Sequence, residues 1–426
     1  MPQGRLRRVL SVVAATAAAW TIGVGAPAGA ARLDPGDLDP GFGDQGKVIL
    51  ELGALASCND VEALGSGKLV AAGYLGHKVL VMRFRANGTP DPTFGDDGIV
   101  TTSFAGRISG GKSVSVDGAG RIVVAGTSDD SSGQTGNLAV MRYLPGGGLD
   151  HTFSGDGKAV IDVFGEDDLA EGLGLDANGR PLVASMSKQG GVFLPVVIRL
   201  TTNGQLDHAF DADGIDELPP DGSAFVEALA VQGNGKAVAA GIAGADFGVY
   251  RTKALGGLDP TFGTGGAVYT DFDHNSDVAD ALAIDSKGRI LAAGQAVVGG
   301  EQAFAVARYT KNGDPDPTFD GEGVVSTDAG AGYDRAFAMV LEGAKIVVGG
   351  RIDTAAGDER WGLVRYKAGG APDGSFGAGG IVTTNFGVST TAKFEEISGL
   401  ALQAGTGRII ACGLTSGRAA LAAYVG

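Results

Sequence analysis

The sequence predicts an all-β protein, a seven-bladed β-propeller with four antiparallel strands in each blade. Three observations carry this. A six-residue turn recurs seven times, four strand-like runs accompany each copy, and the two ends of the array are offset so that together they make one blade. Repetition at this period decides the fold before any local pattern does, because each copy must bury its apolar face on the next.

The turn is Leu38-Asp-Pro-Gly-Phe-Gly43, repeated as Pro90–Gly95, Leu149–Ser154, Leu206–Asp211, Leu258–Gly263, Pro315–Asp320 and Pro372–Gly377. Its aromatic residues, Phe42, Phe94, Phe153, Phe210, Phe262, Phe319 and Phe376, stand 52 to 59 residues apart. Around residue 285 the strands read as Ala281–Asp285, Arg289–Ala293 (stopped by Gly294 before a variable loop), Phe304–Tyr309 and Gly323–Thr327. These runs are short, β-branched and bounded by Gly, Asn and Asp turns, with no helical period. A β-solenoid, the other repeat architecture, would need shorter coils and lacks its calcium nonapeptides here. Residues 31–426 read as one domain without a linker. It opens with a fourth-type strand, Lys47–Leu50, and closes with the third-type strand Leu421–Tyr424. A rod would leave both with unpaired edges; a ring lets Lys47–Leu50 complete the last blade.

Glycine supplies 75 of the 426 residues, without the Gly-X-Y period of collagen. Five slots per unit account for 30 of the 75: after the motif phenylalanine, closing that turn, before the second strand, ending that strand, and three residues before the turn aspartate. Tight turns and close packing at positive φ explain such slots. Hydrophobic residues make up 44%, enough for a large core, so disorder is excluded. The net charge of −16 argues against nucleic acid, whose phosphates need a basic face.

Residues 1–30 read as a cleaved signal peptide. Arg5, Arg7 and Arg8 precede an apolar stretch from Val9 to about Gly25, and Ala28-Gly29-Ala30 is a small-x-small cleavage site. Arg7-Arg8-Val9-Leu10 resembles a twin-arginine signal, a match that Ser11 weakens. Cleavage would remove three arginines and no acid, taking the charge from −16 to −19. The expected product is a secreted, extracellular monomer with no membrane span.

Six third-strand arginines stand eight residues before a turn aspartate: Arg83 and Asp91, Arg142 and Asp150, Arg199 and Asp207, Arg251 and Asp259, Arg308 and Asp316, Arg365 and Asp373. A constant offset across a turn points to a structural ion pair fastening strand to loop. In the last blade Ala423 takes the arginine's place, so Asp39 needs another donor, Arg32 or the backbone. Cys58 and Cys412 lie in blades that are neighbours only if the ring closes. They make either a disulfide across the seam or two separately buried thiols.

Aligning the first strands on their apolar alternation stacks Glu62, Lys112, Glu171, Glu227, Asp280, Arg335 and Ser398. By analogy with other propellers this strand is innermost, so the column would ring one mouth of the central channel. It would serve as an inter-blade ion-pair ring, or bind a charged small ligand or partner. The four histidines, His77, His151, His208 and His274, stand beside no nucleophile or paired carboxylate. Nor is there a serine nucleophile elbow or a zinc ligand set. One tryptophan beyond the signal, Trp361, is few for stacking sugars. Calcium is the cofactor that the acidic turns Asp96-Asp97-Gly98, Gly155-Asp156-Gly157 and Asp211-Ala-Asp213-Gly214 could hold, although a complete ligand loop is missing.

The Asp-Pro-Thr-Phe-Gly turn, the strand Gly120-Arg-Ile-Val-Val-Ala-Gly126 and the Val-x-Arg-Tyr strand together resemble the delta-60 repeat across residues 31–426. Pro181, Ser185, His151, His208 and Gly374 depart from the motif. The resemblance implies a β-propeller of secreted bacterial proteins, with no assigned activity and no catalytic residue to carry over. The function expected is a non-catalytic extracellular binding scaffold. Its loops Gly126–Asn137, Ser187–Phe193, Gln295–Gln302 and Arg351–Trp361 vary in length and chemistry while the strands repeat. An exported hydrolase or lyase at the channel mouth, and a structural envelope or matrix component, are the alternatives.

Overall fold

In a computed structural model, residues 33–104, 109–129, 136–219, 224–387 and 394–426 are described. The signal segment, Arg32 and part of the Gly126–Asn137 loop lie outside them. The strands make seven four-stranded antiparallel sheets.

The first strand, β1 (Lys47–Ile49), belongs to the last blade. Blade 1 holds β2 (Ala56–Ala63), β3 (Leu69–Leu75), β4 (Lys78–Phe84) and β5 (Ile99–Thr102). Blade 2 holds β6 (Ser109–Val116), β7 (Ile122–Asp129), β8 (Gly136–Tyr143) and β9 (Lys158–Ile161). Blade 3 holds β10 (Asp168–Leu175), β11 (Pro181–Gln189), β12 (Val192–Arg199) and β13 (Ile215–Glu217). Blade 4 holds β14 (Ala224–Val231), β15 (Ala237–Ala243), β16 (Asp246–Arg251) and β17 (Ala267–Thr270). Blade 5 holds β18 (Val278–Ile284), β19 (Ile290–Val298), β20 (Glu301–Tyr309) and β21 (Val324–Thr327). Blade 6 holds β22 (Arg335–Glu342), β23 (Lys345–Asp353), β24 (Glu359–Tyr366) and β25 (Ile381–Thr384). Blade 7 joins β26 (Glu395–Leu402), β27 (Ile409–Thr415) and β28 (Arg418–Tyr424) to β1.

The middle strands of each blade are buried on both faces, which is why they read as unbroken apolar runs instead of alternating ones. Val70, Ala72, Val79 and Val81 of blade 1, for example, share a core with Val124, Ala139, Met141 and Tyr143 of blade 2. The core is therefore a ring of inter-blade layers. Buried tyrosines closing the third strands find partners in the preceding blade: Tyr143 with Thr102 at 2.7 Å, Tyr309 with Thr270 at 2.6 Å.

At the seam, Lys47, Val48 and Ile49 pair with Ala422, Leu421 and Ala420. The turn that elsewhere follows the third strand is built here from two segments distant in sequence. In blade 2, Leu144 donates to the Gly148 carbonyl and Gly147 donates back to the Leu144 carbonyl. At the seam Val425 donates to Asp37 and Gly36 donates to Val425, 2.9 and 2.8 Å long. Pro35 then accepts from Gly377 of blade 6, just as Gly146 accepts from Gly95. Cys58 of β2 and Cys412 of β27 form a buried disulfide across this junction, with Cα atoms 5.6 Å apart.

The six arginine–aspartate pairs meet at 2.7–3.0 Å, each arginine lying 4.4–4.8 Å from the centre of its motif phenylalanine. They do more than fasten a loop. Arg251 and Arg308 donate also to the Lys311 and Ala368 carbonyls of the next blade, at 2.5 and 2.6 Å. Arg83, Arg142 and Arg199 do the same to Pro145, Thr202 and Ala254. Arg365, which faces the split turn of the seam, takes Glu342 of its own blade at 2.9 Å. A second cation from just before the second strand joins most aspartates, such as Lys68 on Asp91 at 2.8 Å and Arg289 on Asp316 at 3.1 Å. That slot also answers for Asp39: Arg408 binds it at 2.6 Å and reaches the Ala86 carbonyl of blade 1 at 3.1 Å.

Two sequence expectations are corrected here. The segments Ser187–Phe193 and Gln295–Gln302 are mostly strand. β11 with β12, and β19 with β20, run as long ribbons to the turns Gly190-Gly191 and Gly299-Gly300, so the variable parts are hairpin tips. The glycine ending the second strand does not take positive φ. It sits opposite a β-bulge, where a Cβ on Gly294 would overlap the Val278 carbonyl, and Gly73, Gly126, Gly241, Gly350 and Gly413 meet the same obstacle. The slot after the motif phenylalanine does take positive φ, and Ser154, Asp211 and Asp320 adopt it there too.

Candidate functional site

Each first strand carries one bulge, so two consecutive residues oppose one on the second strand. The unpaired residue is Asn59, Lys112, Glu171, Glu227, Asp280, Phe337 or Ser398, and all seven line a central cavity of about 390 Å³. A bulge re-aims a side chain. Here it turns one residue per blade into the channel.

Five of the column residues expected from the sequence hold this position. Glu62 and Arg335 do not. Glu62 lies three residues past the bulge of β2, away from the cavity, and accepts from the Val116 backbone at 2.8 Å. Its place in the column belongs to Asn59. Arg335 lies two residues before its bulge, level with Glu396, yet reaches the cavity and grips Asp280 at 2.5 Å. Alternation misaligned these two because a bulge breaks the period of two.

Two cations in the cavity are neutralised within it: Lys112 by Glu171 at 2.7 Å and Arg335 by Asp280. Among the described residues, no hydrogen bond or ion pair engages the side chains of Glu227 or Glu396. Burial, reinforced by the Glu171 charge, pushes the Glu227 carboxyl up to about 7 against the pull of Lys112. Burial also raises Glu396. The lower wall is apolar, formed by Leu173, Leu229, Leu282, Met339 and Leu400. The unmet charge in this cavity is negative.

A second set of acids, not singled out in the sequence, stands three residues before the bulge. Asp168, Asp277 and Asp334 are fully buried and accept from the loops entering their strands, Asp277 from Phe272 at 2.9 Å and Asp334 from Ala329 at 2.8 Å. Burial lifts all three to about 6, and Glu62 and Asp216 to about 7. The turn aspartates move the other way. Against burial, Thr318 and Arg308 hold Asp316 at about 2, and Ser375 and Lys345 hold Asp373 at about 2.

These directions set a pH profile for stability. Carboxyls raised in the fold bind protons that the unfolded chain takes up only near its ordinary range of about 4. Their contribution is fully present below that range and is lost as pH rises through 6 to 7. The depressed aspartates contribute above about 4 and lose it as pH falls towards 2. Thermal melts should therefore climb from pH 8 to about 5 and drop below 4. A melting temperature flat or falling from pH 8 to 5 would contradict these assignments.

The four histidines are exposed. Among the described residues, no group of three or more His, Cys, Asp or Glu is arranged to hold a metal ion, the acidic turns included. No helix there is long and apolar enough to cross a membrane.

A family model described as "Domain of unknown function (DUF5122) beta-propeller" matches residues 64–94, 120–153, 288–319 and 345–376. These stretches run from the turn before the second strand to the motif phenylalanine in blades 1, 2, 5 and 6. No curated protein matches the sequence. Among solved structures, Raptor from Chaetomium thermophilum is similar with a TM-score of 0.52 at 10% identity, over 89% of this chain and 29% of that one. This chain thus spans less than a third of that relative. The polysaccharide lyase Uly1 aligns at a TM-score of 0.47 and 10% identity, over 90% and 91% of the two chains. PorZ, a surface component of the type-IX secretion system of Porphyromonas gingivalis, aligns at 0.45 and 12%, over 86% and 46%. The family match and the Raptor likeness agree on the fold, and the chain is a seven-bladed β-propeller with repeats similar to that family's.

Proposed function

We propose that this is an exported binding propeller, without catalysis of its own, that takes a small organic cation in its central channel. One observation carries the reading: Glu227 and Glu396 face a ligand-sized cavity unpaired, while both cations there are already neutralised. The basic and apolar first thirty residues, and the resemblance to secreted delta-60 proteins, support export.

A bound cation favours ionised Glu227, whose neighbours are Glu171, Asp280, Lys112 and Arg335. Affinity should therefore rise with pH through about 7. Titration calorimetry with agmatine, a guanidinium–ammonium dication, tests this. One molecule should bind per chain at pH 8, about tenfold more weakly at pH 6, and Glu227→Gln with Glu396→Gln should weaken binding at least tenfold. No binding at pH 8, or binding indifferent to both substitutions, would refute the proposal. A second reading, a hydrolase or lyase, is favoured by Glu227 alone, since a carboxyl near 7 suits a general acid. Turnover in a polysaccharide and ester screen, abolished by Glu227→Gln, would establish it instead.

A further inference from the structure

Among the described residues, five of the eleven exposed large apolar side chains stand at one end of the first strands. Leu55, Leu169, Phe225, Tyr333 and Phe394 are 37–61% exposed, and each lies two to four residues before a first-strand bulge. All five stand at the same end of the first strands as the cavity-lining Arg335 and Glu396: Leu169 and Phe225 are level with those two, and Leu55, Tyr333 and Phe394 lie one step further out on the same face, Tyr333 beside Gln302 of β20 and Leu55 beside Gly417. They come from blades 1, 3, 4, 6 and 7. Scattered apolar residues need no explanation, but a set gathered around one opening marks an interaction surface.

We infer that the rim and the cavity together receive a polypeptide partner, a segment that inserts one lysine or arginine side chain into the channel and lays flanking apolar residues on Leu55, Phe225, Tyr333 and Phe394. The inference rests on the cation reading above and deepens it. Charge complementarity selects the inserted group, because Glu227 and Glu396 are the unpaired carboxylates. Depth selects its form. Phe225 stands two positions before Glu227 on the strand, about 7 Å, roughly the reach of an extended lysine or arginine side chain. A free small cation would leave the rim uncovered. A side chain carried on a backbone at the rim covers both, its aliphatic stem against the apolar mouth and its charge at the belt.

The probes are N-acetyl-lysine amide and a blocked heptapeptide with one central lysine flanked by leucine and tryptophan. A third probe is the same peptide with norleucine for lysine. Fluorescence and calorimetric titrations of the full chain at pH 8 should show the lysine peptide binding at least tenfold more tightly than the amide. The norleucine peptide should lose at least tenfold. The triple substitution Leu55→Ser, Tyr333→Ser, Phe394→Ser, all at exposed sites, should remove the peptide's advantage and leave the amide unchanged. A peptide no tighter than the amide, a norleucine peptide equally tight, or an unaffected rim variant would each overturn the inference while leaving the cation reading intact. If neither agmatine nor the amide binds, the cation reading itself fails.

Discussion

Replacing Arg308 with alanine should destabilise the protein by about 3–5 kcal/mol, the range for breaking a buried ion pair from one side. The side chain is 2% exposed and makes four contacts that nothing else can supply together. It binds Asp316 at 2.8 Å, Thr318 at 2.9 Å and the Ala368 carbonyl of blade 6 at 2.6 Å, and it lies 4.6 Å from the centre of Phe319. Removal leaves a carboxylate short of a partner, a carbonyl unbonded and a ring uncovered. Arg289, 3.1 Å from Asp316, keeps part of that charge compensated and holds the loss within the stated range. Lysine should not rescue it, because a single ammonium cannot serve acid, hydroxyl and carbonyl in one plane. Urea unfolding is the measurement, with Arg418→Ala as the comparison. The Arg418 pair with Glu51 is solvent-exposed and should matter by less than about 1 kcal/mol. Equal shifts for the two variants would contradict the latch.

Loss of the Cys58–Cys412 disulfide should cost about 2–5 kcal/mol. The two cysteines are 354 residues apart, so the bond restrains nearly the whole unfolded chain. They also tie blade 7, assembled from distant segments, to its neighbour, where β1 contributes just three residues. The double substitution Cys58→Ser, Cys412→Ser should lower the urea midpoint, and reductant should lower the wild-type midpoint to match. Mass spectrometry of the untreated protein should find no free thiol. A reductant-insensitive midpoint would show that the β1–β28 pairing and the split turn close the ring unaided.

Much of this architecture is legible in the sequence because it is copied. The seven turns, the four strands and the offset of the array fix the ring, and the eight-residue interval between Arg83 and Asp91 recurs often enough to be seen as a pair. What stayed hidden depends on neighbours in space. That Arg251 reaches the Lys311 carbonyl cannot be read from spacing within one unit. The second cation had a signal, the Lys or Arg opening every second strand from Lys68 to Arg408, which also held the partner of Asp39.

The channel was half legible. Lys112, Glu171, Glu227, Asp280 and Ser398 fell into line, but Glu62 and Arg335 were placed by an alternation that the bulge interrupts. The clue was the glycine ending the second strand. It excludes a side chain opposite the bulge, so counting from Gly73 and Gly350 would have picked Asn59 and Phe337. The buried Asp168, Asp277 and Asp334 give a weaker signal, because only four blades put an acid three residues before the bulge, the fourth being Glu395.

The most direct test of the channel assignment is a crystal structure of the protein grown with agmatine at pH 8. The account expects the ligand's cationic ends in the central cavity, within hydrogen-bonding distance of Glu227 and Glu396, with the Lys112–Glu171 and Arg335–Asp280 pairs retained. A cavity holding only water at saturating agmatine, or the ligand seated elsewhere on the molecule, would contradict it.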